Sequence, residues 1–375
     1  MSINLKLTAV AGLLAVSGIS QAALTTTTGP VSFSGSASVS ASGTSVASKT
    51  VSNNNAAIAN VSLGQFNATN GVLTGVDLQL TSNRQQTIDG YGYKNNGPGR
   101  DASGSGSSTA AMAAIGAAAS FATAIAQTGG ACSLAHGMTN FTDCSWGPNS
   151  SAATATNATA SVANSNLDDY VGNGSVSASL TLPTLSATTT LSRTQGQTSG
   201  STTNYLVEWA GDLQANYSYL LHAAASFDGS SAANSLTLDF GNVAQNSAAS
   251  LSFALFNMAN ADRIGLDLDS VNGSGDTSAF NTDLSVFSGL AQGGSQAFIA
   301  NLLTANTGVF SAQYLLNLSD EDLGASSTRQ NYQLTLNLTG NVVAETATVP
   351  VPGAVWLFGR AFLAMLGVSR RKPLA

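Results

Sequence analysis

Two cysteines and two histidines are the residues of this chain whose types most readily suggest chemistry. Cys132 and Cys144 are the only cysteines, and 11 residues separate them. In an oxidising compartment such a pair is expected to form a disulfide that closes a short loop. A metal site formed by Cys132, His136, Asp143 and Cys144 is the alternative, although the paired C-x-x-C spacing of zinc sites is absent. The sequence therefore predicts a Cys132–Cys144 disulfide and no metal or other cofactor.

Catalysis by an activated serine would need a histidine base and a carboxylate beside the nucleophile. His136 and His222 lie 86 residues apart, and no Gly-x-Ser-x-Gly segment accompanies either of them. His222 stands in a strand-like segment, where we expect it to have a structural role. The sequence also lacks a recognisable pair of catalytic carboxylates. We therefore predict that the chain is not an enzyme, and a secreted hydrolase is the alternative.

Oxygen ligands are concentrated in two segments of the second half of the chain. One contains Asp267, Asp269, Asn272 and Asp276, and the other is the run at residues 320–322. Hard oxygen ligands in extracellular loops favour Ca²⁺. The spacing differs from that of an EF-hand, and solvated turns of this composition are commoner than calcium sites. These four residues are the calcium candidates.

Charge is scarce and unevenly distributed. Only 8% of the 375 residues are charged, against about 25% in an ordinary globular protein. Five of the 12 basic residues lie in the two terminal segments, whereas all 19 acidic residues lie between Asp77 and Glu345. Phosphate binding needs clustered Lys and Arg. We therefore expect no nucleic-acid partner and an extracellular location.

Strict alternation of polar and apolar residues indicates β-strands through most of the chain. In residues 31–41 every second residue is serine and the others are apolar or small. The same alternation recurs in residues 76–80, 176–182, 236–240, 310–318 and 332–338. Such segments have one buried and one solvated face, and short strands joined by Gly, Asn and Ser turns indicate sandwiches. The predicted fold class is mainly β, with two β-sandwich-like domains.

The domain boundary is placed near residue 227, where a run rich in aromatic residues ends and a serine-rich turn begins. Residues 23–227 are the first domain. Residues 228–346 contain about seven candidate strands, the number expected for an immunoglobulin-like sandwich. Residues 66–78 resemble a stretch of the choice-of-anchor domains of bacterial surface proteins, and residues 238–241 and 336–340 resemble parts of bacterial immunoglobulin-like repeats.

An alanine-rich segment interrupts the strand pattern of the first domain. Residues 110–126 are uncharged and mostly alanine, and alanine is the best helix former. We therefore predict a helical insertion over about residues 103–128 that lies on the sheet. A second membrane span is the alternative, but alanine is only weakly apolar.

The first 22 residues have the order of a secretory signal peptide. A charged start at Lys6 is followed by an apolar run and by small residues at Ser20 and Ala22, the −3 and −1 positions of a cleavage site. The alternative is a short buried helix. The predicted cleavage after Ala22 implies signal peptidase and the secretion translocon as partners.

Residues 349–375 form a second targeting segment. The motif Val349, Pro350, Val351, Pro352, Gly353 and Ala354 precedes an apolar run, and Arg370, Arg371 and Lys372 follow it. The 18 residues 351–368 would span roughly 27 Å as a helix, just short of a hydrocarbon core of about 30 Å. We predict a C-terminal transmembrane helix over residues 353–369, with the basic cluster acting as a cytoplasmic stop.

This order of proline motif, apolar helix and basic end resembles the PEP-CTERM sorting signals of Gram-negative bacteria, in particular the variant reading Val-Pro-Leu-Pro-Ala. The resemblance implies an exosortase-type transpeptidase as a partner and cleavage near the proline motif. The protein would be anchored transiently in the inner membrane and would then reach the cell surface or the extracellular matrix. The resemblance also implies a link to exopolysaccharide and biofilm. A permanent C-terminal anchor is the alternative.

The function expected from the sequence is that of an exported, exosortase-processed structural protein of the cell surface or matrix. A carbohydrate-binding or adhesion module is the second hypothesis. In that case Tyr91, Tyr93, Trp146 or Trp209 would stack on sugar rings, and amide side chains would bind sugar hydroxyls. Exposure of these rings separates the two hypotheses, because a buried ring only contributes to the core.

Overall fold

A computed structural model of the chain describes residues 23–44, 47–127, 129–135, 137–192, 199–345 and 358–363. Strands dominate these residues, which confirms the mainly β fold class. The strands, numbered in chain order, are β1 Leu24–Thr27, β2 Val31–Thr44, β3 Ser48–Ser52, β4 Ala56–Gly64, β5 Val72–Gly97, β6 Arg100–Ala114, β7 Ala117–Gln127, β8 Ala131–Leu134, β9 Gly137–Ser150, β10 Thr154–Ala155, β11 Ala158–Ser161, β12 Ser175–Leu182, β13 Leu185–Leu191, β14 Ser199–Leu220, β15 Ala225–Ser226, β16 Ser235–Ala244, β17 Ser250–Asn257, β18 Leu266–Gly275, β19 Phe280–Thr282, β20 Phe287–Leu290, β21 Ser295–Leu302, β22 Gly308–Asp320 and β23 Asn331–Val343.

The first sandwich consists of two antiparallel sheets with seven strands each. In one sheet the order is β1-β14-β5-β10, with β2 also paired to β14 and with β9 and β11 also paired to β5. In the other sheet the order is β3-β13-β6-β12-β4, with β7 and β8 paired to β6. Leu78 and Tyr205 of the first sheet and Leu180 of the second share one buried core. Alternation therefore places the apolar residues between the sheets.

The predicted helical insertion at residues 103–128 is wrong, because this segment forms the hairpin β6–β7 with a turn at Ile115 and Gly116. Along β6 the buried positions alternate with more exposed ones, and Ala110 and Met112 are both buried. Helix propensity favours alanine by only a fraction of a kcal/mol per residue. Pairing with β12 and β13 and burial against the facing sheet outweigh that preference.

The second sandwich packs a four-stranded sheet on a five-stranded one. The strand orders are β15-β17-β21-β19 and β16-β23-β22-β18-β20. Strand β16 pairs with β23 in parallel, whereas the other pairs in these two sheets are antiparallel. Leu255 and Phe298 of the smaller sheet and Leu316 and Leu336 of the larger one share a second buried core.

The two sandwiches share residues where they meet. Val72 and Leu220, at the ends of the long strands β5 and β14, are buried in the second core. In the opposite direction, Ala325 lies in the loop between β22 and β23 and is buried in the first core. Along the chain, Leu220 is the residue at which β14 leaves the first core and enters the second. This position lies a few residues before the domain boundary expected near residue 227.

At the C-terminal end the structure describes one helical segment, residues 358–363, which is exposed. Within the described ranges, no helix has the length and apolar character needed to cross a membrane. Most of the predicted transmembrane helix, residues 353–369, lies outside those ranges. That helix is accordingly still a prediction.

Candidate functional site

The most densely connected group of titratable side chains lies at the junction between the sandwiches. His222, just after β14, faces Asp320 at the end of β22, with 2.8 Å between Nδ1 and the carboxylate oxygen Oδ2. Its other ring nitrogen, Nε2, lies 2.9 Å from the carbonyl oxygen of Ala68 in the first sandwich. The Arg263 guanidinium donates to the backbone carbonyl of His222. One side chain thus contacts both sandwiches.

Asp320 is buried and accepts several hydrogen bonds. Its carboxylate accepts from the backbone N–H groups of Ala223 and Gln330, each at 2.8 Å, and from the Tyr332 hydroxyl, also at 2.8 Å. Burial works to raise the pKa of Asp320, but these three bonds and the one from His222 outweigh it and lower the pKa. The carboxylate is therefore ionised and serves as the centre of the network.

The two hydrogen-bond partners of His222 determine its protonation and its chemical role. Burial works to lower its pKa, whereas the hydrogen bonds to Asp320 and to the Ala68 carbonyl raise it, and the net shift is upward. A protonated imidazole donates from both nitrogens, which suits a carboxylate on one side and a carbonyl on the other. A general base would need a nitrogen that faces a nucleophile, whereas Nε2 faces a backbone carbonyl. The site therefore favours a structural role for His222.

A second set of hydrogen bonds reinforces the junction. The Asp168 carboxylate accepts from the Ser326 hydroxyl at 2.8 Å and from the N–H and hydroxyl of Ser327 at 2.9 and 2.7 Å. The backbone bond from Ser327 is the largest of the effects that lower the pKa of Asp168. Nearby, the N–H of Ala325 donates to the Leu73 carbonyl at 2.8 Å. The loop after β22 is thus held against the first sandwich.

The predicted disulfide between Cys132 and Cys144 is confirmed, with the two Cα atoms 5.8 Å apart. Cys132 belongs to β8 and Cys144 to β9, so the bond joins the two sheets of the first sandwich. Both cysteines pack against a small core that contains Trp146. In the alternative metal site, Asp143 is exposed, and His136 lies outside the described residues.

The four calcium candidates lie in and beside β18. Asp267 accepts from the Gly289 N–H at 2.6 Å, Asp269 from the Ser319 hydroxyl at 3.1 Å and Asp276 from the Ser311 N–H at 3.0 Å. Asn272 is a strand residue opposite Leu315. Among the residues that the structure describes, no group of three or more His, Cys, Asp or Glu side chains is arranged to hold a metal ion.

The four aromatic candidates divide into buried and exposed rings. Trp209 is 1% exposed and packs edge-on against Phe33, and Trp146 is 7% exposed. Tyr91 is 46% exposed, and Tyr93 is partly exposed on the same strand, β5. The two tryptophans therefore contribute to cores. The two tyrosines are the candidates that an external ligand could reach.

The predicted targeting residues lie outside the described part of the chain. These are Ser20 and Ala22 at the signal cleavage site, the sorting motif Val349, Pro350, Val351, Pro352, Gly353 and Ala354, and the basic residues Arg370, Arg371 and Lys372.

Sequence reasoning missed the residues that form the hydrogen-bond networks at the junction around His222. Asp320 stood in a predicted solvated turn, and Arg263, Tyr332 and Asp168 were not singled out. One signal was present: apart from Leu315, residues 310–318 alternate between apolar or small and polar side chains, and continuing that alternation places residue 320 on the buried face of β22. A buried carboxylate must have partners.

Comparisons with known proteins identify no family. No protein-family profile and no curated protein matches the chain. Among solved structures, the human CEP192 PapD-like domain 7 is 12% identical, with a TM-score of 0.23, over 33% of this chain and 87% of that one. The Vibrio cholerae VesB protease is 12% identical, with a TM-score of 0.22, over 36% and 38% of the two chains. The periplasmic chaperone SfaE is 10% identical, with a TM-score of 0.22, over 35% and 64%. Scores this low establish neither fold nor function.

Proposed function

We propose that this chain is an exported structural protein of the bacterial cell surface or extracellular matrix and has no catalytic activity. Its leader would take it through the secretion translocon. Its tail, residues 349–375, would hold it in the inner membrane until an exosortase-type transpeptidase releases it.

The junction is the observation that carries this proposal. The two sandwiches are joined by hydrogen bonds that Asp168 accepts from Ser326 and that His222 makes with the Ala68 carbonyl, and each core contains residues from the other sandwich. Domains connected by a flexible linker are expected to move relative to one another, whereas this junction is packed and hydrogen-bonded. A stiff two-part unit is suited to display or to building a matrix.

Two further features fit the extracellular space. The outward positions of β2 are serines or a threonine at every step, so solvation relies on hydroxyl groups rather than on charge. The Cys132–Cys144 disulfide belongs to an oxidising compartment. Both features support export.

For the second sandwich we propose an immunoglobulin-like architecture. The support is its pair of sheets with four and five strands and the crossing of β16 to pair in parallel with the last strand, β23. Such sandwiches are common in cell-surface proteins.

Mass spectrometry of surface material from the producing organism tests the sorting proposal. We expect peptides from both sandwiches and none beyond about residue 352. A strain that lacks the exosortase is the control, and there the tail peptides should stay with the inner-membrane fraction. Tail peptides in the surface material of the unmodified strain would overturn the proposal.

Carbohydrate binding or adhesion is the second candidate function. The observation that favours it is the exposure of Tyr91 and Tyr93 on one face of the first sandwich. The buried tryptophans, Trp146 and Trp209, contribute nothing to it. Any saccharide-binding site must therefore be built on the outward face of the sheet.

A further inference from the structure

The outward face of the sheet that contains β2, β14 and β5 is a ladder of mostly polar side chains, interrupted at Gly200, Leu206 and Ala210 of β14. Because β14 pairs in register with β2 on one side and with β5 on the other, outward residues stand side by side in rungs of three. The seven rungs are Ser32-Asp212-Thr81, Ser34-Ala210-Asn83, Ser36-Glu208-Gln85, Ser38-Leu206-Thr87, Ser40-Asn204-Asp89, Ser42-Thr202-Tyr91 and Thr44-Gly200-Tyr93.

In three of these rungs, hydrogen bonds join neighbouring side chains. The bonds are Ser32 to Asp212 at 2.6 Å, Ser40 to Asn204 at 2.8 Å, Asn204 to Asp89 at 2.7 Å, and Ser42 with Thr202 at 3.0 Å. These bonds pair polar side chains of β2 with those of β14, and in the Asn204 rung they continue to Asp89 of β5.

The rungs of Glu208 and Ala210 behave differently, and a groove of about 450 Å³ lies over them. Ser34 and Ser36 line one side, Asn83 and Gln85 line the other, and Ala210 keeps the floor low because it is small. In the described part of the chain, the Glu208 carboxylate and the Asn83 amide make no hydrogen bond to another protein group. The Gln85 amide donates to the Ser151 carbonyl at 3.2 Å. The groove therefore offers unused donors and acceptors.

The composition of the ladder selects the chemistry of a ligand. No Lys or Arg stands in any of the seven rungs, whereas Asp89, Glu208 and Asp212 do, so anionic polymers are repelled. The groove contains no exposed large apolar side chain to anchor a lipid or a hydrophobic peptide. Hydroxyls, an amide and a carboxylate side by side match a chain of hydroxyl groups, which both donate and accept hydrogen bonds. We propose that this groove binds a segment of a neutral polysaccharide.

The rungs between Glu208 and Tyr91 suggest the direction in which the bound polysaccharide runs. Tyr91 stands three rungs from Glu208 on the same face, which is roughly 20 Å along the strands. Its exposed ring provides an apolar surface for a sugar ring further along the chain. The polysaccharide would run along β5 and β14, with its hydroxyls on Glu208 and Asn83 and a sugar over Tyr91.

This inference rests on the proposed function, because an exported protein is the one that meets extracellular polysaccharide. The experiments distinguish failure of the binding inference from failure of the proposed function. Binding is measured on the purified full-length chain and is independent of sorting, whereas the fate of the tail is measured on surface material and is independent of binding.

Affinity electrophoresis of the native chain tests the inference. The gels would contain one of three neutral polysaccharides, dextran, galactomannan or hydroxyethyl cellulose, or the anionic polymer alginate. We expect at least one neutral polymer to retard the chain and alginate not to. Glu208→Ala and Asn83→Ala should each weaken that retardation at least tenfold, and Ala210→Gln, which fills the groove, should abolish it.

Glu345→Ala is the matched control, because it removes an exposed carboxylate that lies after β23 and does not line the groove. This variant should bind as the unmodified chain does. Thermal unfolding would check that each variant is folded. Retardation by none of the neutral polymers would overturn the inference. Retardation that Glu208→Ala and Ala210→Gln leave unchanged would also overturn it.

Discussion

His222 and Asp320 are 98 residues apart in sequence, yet their side chains meet in one hydrogen-bonded pair, which is an ion pair when His222 is protonated. The side chain of Asp320 is fully buried, and that of His222 is 14% exposed. A buried carboxylate is tolerated only where hydrogen bonds replace those of water. In this site the four bonds to Asp320 provide that replacement, and the second bond of His222 extends it to the first sandwich.

We predict that the stability of the chain depends on pH through this pair. The pKa of His222 is raised in the folded state, so its contribution is complete below its ordinary value of 6.5 and is lost as the pH rises through the folded value. The pKa of Asp320 is lowered, so its contribution is present above 3.8 and is lost as the pH falls through the folded value. Both contributions are therefore present at pH 5 to 6. The Tm of the unmodified chain should fall between pH 6 and 8.5, and His222→Gln should reduce that fall. If Tm fell equally with pH in the unmodified chain and in the His222→Gln variant, the prediction would be contradicted.

Asp320→Asn tests the centre of the network. The amide cannot accept from His222, Tyr332 and two backbone N–H groups as the carboxylate does. Loss of one partner of a buried ion pair costs about 3 kcal/mol or more. We expect a decrease of that size in the free energy of unfolding, measured in urea. Asp322→Asn is the control, because the Asp322 side chain is 84% exposed, and it should change stability by less than about 1 kcal/mol.

At the scale of elements, the hairpin β6–β7 shows how local propensity is overruled. The segment contains mostly alanine, which favours helix when isolated, yet it forms two strands of the sheet. Pairing with β12 and β13 on one side of β6 supplies hydrogen bonds along its length. Small alanine side chains also allow the facing sheet to approach closely.

The disulfide is the second element-scale feature with a measurable effect. It joins β8 to β9 and thereby one sheet to the other. Replacing both Cys132 and Cys144 by serine should lower the free energy of unfolding in urea by up to about 3 kcal/mol, because the short loop is no longer closed in the unfolded chain. Dithiothreitol should produce a similar loss in the unmodified chain and none in the double variant. If dithiothreitol also destabilised the double variant, the loss of stability in the unmodified chain could not be attributed to the disulfide.

At the scale of the whole molecule, the junction turns two sandwiches into one unit. The loop between β22 and β23 is the contact that achieves this, because Ala325 enters the first core and Asp168 binds the neighbouring serines. We therefore expect the two sandwiches to unfold together. Cooperative unfolding of two domains requires that the interface contribute substantially to both.

Gly324→Ala should separate the two unfolding events. Gly324 has a φ of +66°, and an added Cβ would lie 2.2 Å from the Leu73 carbonyl oxygen, so the loop must withdraw from the first sandwich. Calorimetry should then show two transitions in place of one. Gly241→Ala is the matched control, because Gly241 has a φ of +65° and open space around the added Cβ. It should cost only about 1–2 kcal/mol of backbone strain and keep a single transition.

Local patterns predicted the features that depend on neighbouring residues. Alternation along residues 31–41 and 310–318 predicted β2 and β22, and the isolated pair of cysteines predicted the disulfide. Alternation also predicted which side of each strand would be wet. Residues 103–128 show no usable alternation, because alanine is small enough to stand on either face of a strand. The helix prediction for that segment therefore relied on the propensity of alanine alone, and it was wrong.

The sequence by itself determined the mainly β class, the wet and dry faces of its alternating strands and the covalent pair. These depend on a period of two residues and on residue type, which any local segment displays. Only the tertiary structure decided that Asp320 meets His222, that Ala325 enters the first core and that Glu208 stands between Ser36 and Gln85. Each of these contacts joins residues that are distant in sequence, and strand order and register, which bring them together, arise when the whole chain packs at once.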